Sequence, residues 1–96
     1  MTNRLALFPE STRVRDDSLF IAGYSLASLS AENGTPLYVY DRSTLDLAVT
    51  EYKSALRAYY PGESHITYAG KAFLCKAIAE WTKPHNLIVD CTGEGE

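Results

Sequence analysis

The chain has 96 residues, of which 46% are hydrophobic and 22% charged, and its formal net charge is -3. That balance is the one of ordinary globular proteins and excludes a disordered or fibrous chain. Lys, Arg, Asp and Glu are scattered evenly, so there is neither a basic patch for a phosphate backbone nor a polybasic membrane arm, and neither nucleic acid nor membrane is expected as a partner.

The longest apolar runs are a few residues, far short of the roughly 20 that span a bilayer. The start MTNRLALFPE lacks the apolar centre of a signal peptide. The cytoplasm is therefore the expected location. Cys75 and Cys91 form no CxxC, and with only His65 and His85 beside them no zinc spacing exists. No metal site is expected, and both cysteines read as reduced packing residues.

The first part of the chain, to about Gly34, is weakly patterned. SLFIAG suits a short strand, and SLASLSAEN a short helix closed by Gly34 at a left-handed cap position. TPLYVYD, Thr35 to Asp41, is rich in β-formers and opened by Pro36, which suits the first residue of a strand. The next segment is a helix in which Ser43 supplies the cap, with Asp46 three residues on as a weak capping box. Leu45, Val49, Tyr52, Leu56 and Tyr59 recur at steps of four and three and share one face, and Pro61 and Gly62 end the helix.

His65 to Ala69 then reads as a strand and Ala72 to about Trp81 as a second helix, with Leu74, Ile78 and Trp81 on one face and Pro84 stopping it. LIVD, Leu87 to Asp90, is short and uniformly apolar up to its last residue, the pattern of a strand buried on both faces in a parallel sheet. Helix, strand, helix, strand after Asp41 argues for an α/β fold with parallel strands. Two such strands and two helices leave open edges and an uncovered face, and TGEGE falls where a turn should feed the next helix. Since a full barrel of this type takes about 250 residues, the expectation is a piece of a larger protein or a truncated reading frame.

In parallel β/α folds the functional rim lies at the carboxyl ends of the strands. Lys71 follows one strand, among Ala69, Gly70 and Ala72. The next strand delivers Asp90, with Glu94 and Glu96 just behind. A lysine packed among small residues at the rim would be partly desolvated, which frees its amine as a nucleophile toward a carbonyl. The small neighbours would leave room for a flat ring, and a carboxylate on the next strand would orient the ammonium form. Spacing alone also allows blander readings: Lys71 as a solvated helix-start residue, Asp90 as a turn former or cap, and TGEG as a simple turn, since no GK pair or full GxGxxG accompanies it. Tyr52, Tyr59 and Tyr60 read as core and helix surface, and His65 and His85 as ordinary strand-edge and loop residues.

GTPLYVYD with the TLD that follows it, YYPG, ITYAGKAFLC and LIVDCTGEGE, in that order and spacing, give the chain a resemblance to a known family. From Leu19 to Glu96 it resembles the amino-terminal part of the diaminopimelate, ornithine and arginine decarboxylases of the alanine-racemase-like fold. The resemblance implies the first β/α units of a TIM-type parallel barrel over residues 41–96, preceded by a segment of a β-domain over residues 1–40. It also implies a pyridoxal 5'-phosphate enzyme active as a homodimer. The lysine of the family's YAxKA motif falls on Lys71, which would hold the cofactor as a Schiff base, and Ala69 matches the small residue lying against it. The family's aspartate after the next strand falls on Asp90, and the glutamate closing its SGGE-like segment on Glu96. Glu94 stands where many relatives have glycine, so it receives no role.

FLC after the lysine and the TGEGE ending lean toward the diaminopimelate branch, which implies decarboxylation of meso-diaminopimelate to L-lysine. Inside the fold the rivals are an ornithine or arginine decarboxylase and an alanine-racemase-like enzyme. The rival of another class is a catalytically silent remnant.

Overall fold

The computed structural model describes residues 4–91, 93 and 94. The chain divides into two compact units, Met1–Ala48 and Val49–Glu96. After a 3-10 turn at Arg4–Leu7, the first unit folds as a three-stranded antiparallel meander, β1 (Arg13–Arg15), β2 (Ser18–Ile21) and β3 (Tyr24–Ser25), followed by helix α1 (Leu26–Asn33). Both hairpins turn on two residues: Arg15 pairs with Ser18 around Asp16 and Asp17, and Ile21 with Tyr24 around Ala22 and Gly23. All four turn residues have positive φ, between 49° and 82°. That geometry matches the right-handed twist of the flanking strands, and Asp tolerates it better than most residues.

SLFIAG is thus the central strand of the meander, and β1 and β3 beside it were not evident from the pattern. Ile21 is the buried apolar residue among the described residues of this unit. Helix α1 falls where the sequence places it. The Ser25 hydroxyl accepts from the Ser28 N–H at its start, and Gly34 closes it by donating its N–H to the Ser30 carbonyl. Gly34 combines φ 82° with ψ 175°, so its φ is left-handed as expected but its ψ is extended. That combination is essentially open to glycine alone.

Thr35 to Asp41 forms no strand among the described residues. A strand exists only through a ladder, and no described strand forms a ladder with this segment, whose Leu37, Tyr38, Val39 and Tyr40 are exposed.

Helix α2 spans Arg42–Tyr59, and the boundary between the units falls inside it. Its cap is Asp41 rather than Ser43. The Asp41 carbonyl accepts the first helical bond, from the Leu45 N–H at 3.2 Å, and its carboxylate gathers the Ser11, Ser43 and Thr44 hydroxyls. Aspartate ranks with serine as a cap, and being one residue earlier it meets the first free N–H groups. Val49 on the expected face is buried and Leu45 and Leu56 are half-buried, but Tyr52 and Tyr59 are exposed.

The second unit continues with β4 (Thr67–Ala69), α3 (Lys76–Thr82) and β5 (Ile88–Asp90). β4 and β5 pair in parallel, Thr67 with Ile88, Tyr68 with Val89 and Ala69 with Asp90, joined by α3 as the crossover. The fold is therefore mixed α/β with a parallel pair, and no closed barrel is formed by the described residues. Ile78 and Trp81 are buried as expected, while Leu74 lies before the helix and is half-buried. Ile88 is 50% exposed, so β5 is not covered on both faces. No described helix is long and apolar enough to cross a membrane.

Candidate active site

The parallel pair sets the geometry around Lys71. Ala69 ends β4 directly opposite Asp90, which ends β5, and the ladder continues one step with the Gly70 N–H donating to the Asp90 carbonyl at 2.9 Å. The Ala72 N–H then donates to the Ala69 carbonyl at 3.1 Å. This closes a four-residue turn in which Gly70 is buried and Lys71 is displayed. Residues paired across a ladder project from the same face of the sheet. Ala69 and Asp90 therefore share one face, and the turn carrying Lys71 rises from its edge.

Two expectations about Lys71 are corrected. It does not open a helix, because α3 begins only at Lys76, after Cys75 in extended backbone at φ -140° and ψ 175°. Nor is it packed among its small neighbours: Lys71, Ala69 and Ala72 are all exposed, with only Gly70 buried. No ion pair joins Lys71 to Asp90 among the described residues. Asp90 is exposed on the rim, and Glu96 lies outside the described residues. Cys75 and Cys91 are free and exposed, not packed. No group of three or more His, Cys, Asp or Glu suited to a metal ion occurs among the described residues.

The turn is tethered by a residue whose role sequence reading missed. Successive side chains on a strand alternate in direction, so Tyr68 faces opposite to Ala69, and its ring meets Trp81 of α3 edge-on at 6.3 Å and 78°. From there its hydroxyl donates a hydrogen bond to the Phe73 carbonyl, two residues past Lys71. The same side chain that anchors β4 to its crossover helix thus fixes the far end of the lysine-bearing segment. Tyr68→Phe keeps the ring and removes only this donor, so about 1 kcal/mol of local stability should be lost. Amide hydrogen exchange in residues 70–75 of the full chain should accelerate roughly fivefold, with exchange in α2 unchanged.

These residues fit a flat, carbonyl-bearing cofactor. The Lys71 amine is accessible, the methyl of Ala69 leaves the adjoining face low, and Asp90 offers a carboxylate one strand away. The structure thus places an accessible lysine and a carboxylate at the carboxyl ends of two neighbouring parallel strands of a mixed α/β chain.

The comparisons with known proteins narrow the class. The chain is 35% identical over 82 residues to the diaminopimelate decarboxylase of Synechocystis sp., a match covering 85% of this chain and 18% of that protein. It is 38% identical over 76 residues to the diaminopimelate decarboxylase of Mycobacterium leprae, covering 79% of the chain and 15% of the relative. With that of Actinosynnema pretiosum subsp. auranticum it shares 30% identity over 90 residues, 94% of the chain and 20% of the relative. The chain is thus similar to diaminopimelate decarboxylases along most of its length, as its motifs imply, and spans about a fifth of the length of these curated relatives. No family model and no solved structure matches it.

Proposed function

We propose that this chain is part of a pyridoxal 5'-phosphate-dependent decarboxylase that converts meso-diaminopimelate to L-lysine. The observation that carries the reading is the place of Lys71, displayed at the carboxyl end of β4 in a chain similar to diaminopimelate decarboxylases over most of its length. On this reading Lys71 would hold the cofactor through its amine, with Ala69 as the small residue beside it. Bound there, the cofactor supplies an electron sink for the carbon that loses its carboxylate.

The residues of this chain do the rest of what falls to it. The Lys71 amine, displayed at the carboxyl end of β4, would also serve as the acid and base that moves the proton replacing the lost carboxylate. Asp90, at the end of the neighbouring strand, would place a negative charge on the same rim. Glu96 is assigned to the same acidic set. Residues 1–40 contribute to a β-domain and residues 41–96 begin an alanine-racemase-like barrel, in an enzyme that works as a cytoplasmic homodimer.

The test of the substrate is carbon dioxide release by the full-length protein carrying this segment. Release is expected from meso-diaminopimelate and not from ornithine or arginine. Release from ornithine or arginine instead, or racemisation of an amino acid without release, would overturn the assignment.

A further inference from the structure

We infer that the amino-terminal ends of β4 and β5 carry a second site, a cleft that binds a small multivalent oxyanion such as a phosphate group or a polycarboxylate. The cleft has a volume of about 510 Å³, and its lining includes Lys53, Arg57, Tyr60, His65, His85 and Asn86. That volume is within the range of small-molecule pockets. It lies at the opposite ends of the strands from Lys71, since His65 precedes β4 and His85 and Asn86 precede β5.

Charge is the first argument. No carboxylate among the described residues lines the cleft, although the chain as a whole carries a net charge of -3. The Glu63 carboxylate lies 3.8 Å from His65 Nε2, but its side chain is 90% exposed and outside the lining. Two permanent cations and two imidazoles thus face a shared space in an acidic protein, which raises the local concentration of anions.

The arrangement of the cations is the second. Lys53 and Arg57 are four residues apart on α2 and so lie on one face of it, a like-charge spacing that costs the helix stability unless something neutral or negative relieves it. Lys53 is half-buried, and its ammonium donates to the His85 carbonyl at 2.5 Å. One of its three N–H groups is thereby used to hold it on the cleft wall, and two remain for a ligand. Arg57 presents a planar fork suited to paired oxygens. The two histidines stand at the starts of neighbouring parallel strands, and the His85 ring is seated on Trp81 at 5.1 Å.

Gly62 and Tyr60 lie together in the lining. A Cβ on Gly62 would come within 3.1 to 3.2 Å of the Tyr60 ring, so glycine lets that ring lie close against the turn. Asn86, at φ 56°, completes the rim with its backbone in the left-handed region that asparagine tolerates.

The experiment is titration of the full chain with inorganic phosphate and, separately, citrate, read on the NMR side-chain signals of His65 and His85, against sodium chloride at matched ionic strength. Saturable shifts with phosphate or citrate are expected, and which of the two binds tighter identifies the oxyanion. Arg57→Ala should weaken binding about tenfold, while Arg57→Lys, which keeps the charge, should stay within about threefold. Arg57 is exposed on the helix, so neither change should disturb folding. Shifts no larger than those given by sodium chloride, or equal affinity in Arg57→Ala, would overturn the site. Lys71→Ala should leave these shifts as they are, so the outcome stands apart from the proposal for Lys71.

Discussion

Full-length protein carrying Lys71→Ala is expected to lose covalent attachment of pyridoxal 5'-phosphate and to release carbon dioxide at least about a thousandfold more slowly, the scale on which removal of a covalent nucleophile acts. Borohydride reduction of the unsubstituted protein in the presence of the cofactor should leave the added mass on the peptide containing Lys71, and on no peptide of the variant. The structure makes this a clean experiment. Lys71 is exposed on a turn closed by backbone bonds alone, from Gly70 to Asp90 and from Ala72 to Ala69, so truncating its side chain removes no packing. Surface changes of this kind usually shift stability by no more than about 0.5 kcal/mol. Lys71→Arg serves as the charge-preserving control, because a guanidinium keeps the cation but is not an amine nucleophile, and it should fail equally. Cofactor mass on another lysine, or undiminished turnover in Lys71→Ala, would show that the rim lysine is not the attachment point.

What could be read in the sequence and what could not divides by the physics involved. Helix α2 was legible because a long amphipathic period repeats over many residues, and the parallel pair was legible because a crossover helix between two short apolar runs leaves few alternatives. The hairpins of the first unit were not. Their turns use Asp16-Asp17 and Ala22-Gly23 rather than the Asn-Gly pair that marks such loops, and strands of two to four residues are too short to show a period.

The start of α3 was misplaced for a different reason. Ala72, Leu74 and Ile78 fit a helical stripe, but the segment before Lys76 is committed elsewhere. Its first residues close a turn and the Phe73 carbonyl is taken by the Tyr68 hydroxyl from five residues upstream, a side-chain bond that a hydrophobic stripe does not announce. Lys71 stood out as a candidate because the strand before it and the motifs around it were visible in the sequence. That its amine stands exposed, and that Tyr68 holds the segment it sits on, required the fold.

Asp41 carries the second large expectation, this time for stability. Three hydroxyls converge on one of its carboxylate oxygens: Thr44 Oγ1 at 2.5 Å, Ser11 Oγ at 2.9 Å and Ser43 Oγ at 3.0 Å. Ser43 shares its proton with Glu10, whose Oε1 lies 2.6 Å away, Thr44 Oγ1 accepts the Glu10 N–H, and Ser11 Oγ accepts the Ala22 N–H. One buried carboxylate therefore ties the start of α2 to the segment before β1 and to the turn after β2. Burial by itself raises the Asp41 pKa, but the bonds from the Thr44, Ser11 and Ser43 hydroxyls and the Thr44 backbone outweigh it and hold the carboxyl below its ordinary value. A carboxylate whose pKa is lower folded than unfolded adds stability that is complete above the unfolded value, near pH 4, and is lost as pH falls through the folded one. Asp41→Ala should cost about 2 kcal/mol at neutral pH, roughly half from the lost cap and half from part-buried hydroxyls left without an acceptor. Asp41→Asn keeps an acceptor oxygen and should cost about 1 kcal/mol, because bonds to an ionised acceptor are the stronger kind. Urea unfolding of the full chain checks both, and adds a sharper criterion: the gap between the unsubstituted chain and Asp41→Asn should be widest at neutral pH and close as pH falls below 4 (about the unfolded Asp value), whereas a gap that stayed constant in acid would mean that the carboxylate's charge contributes nothing to the knot.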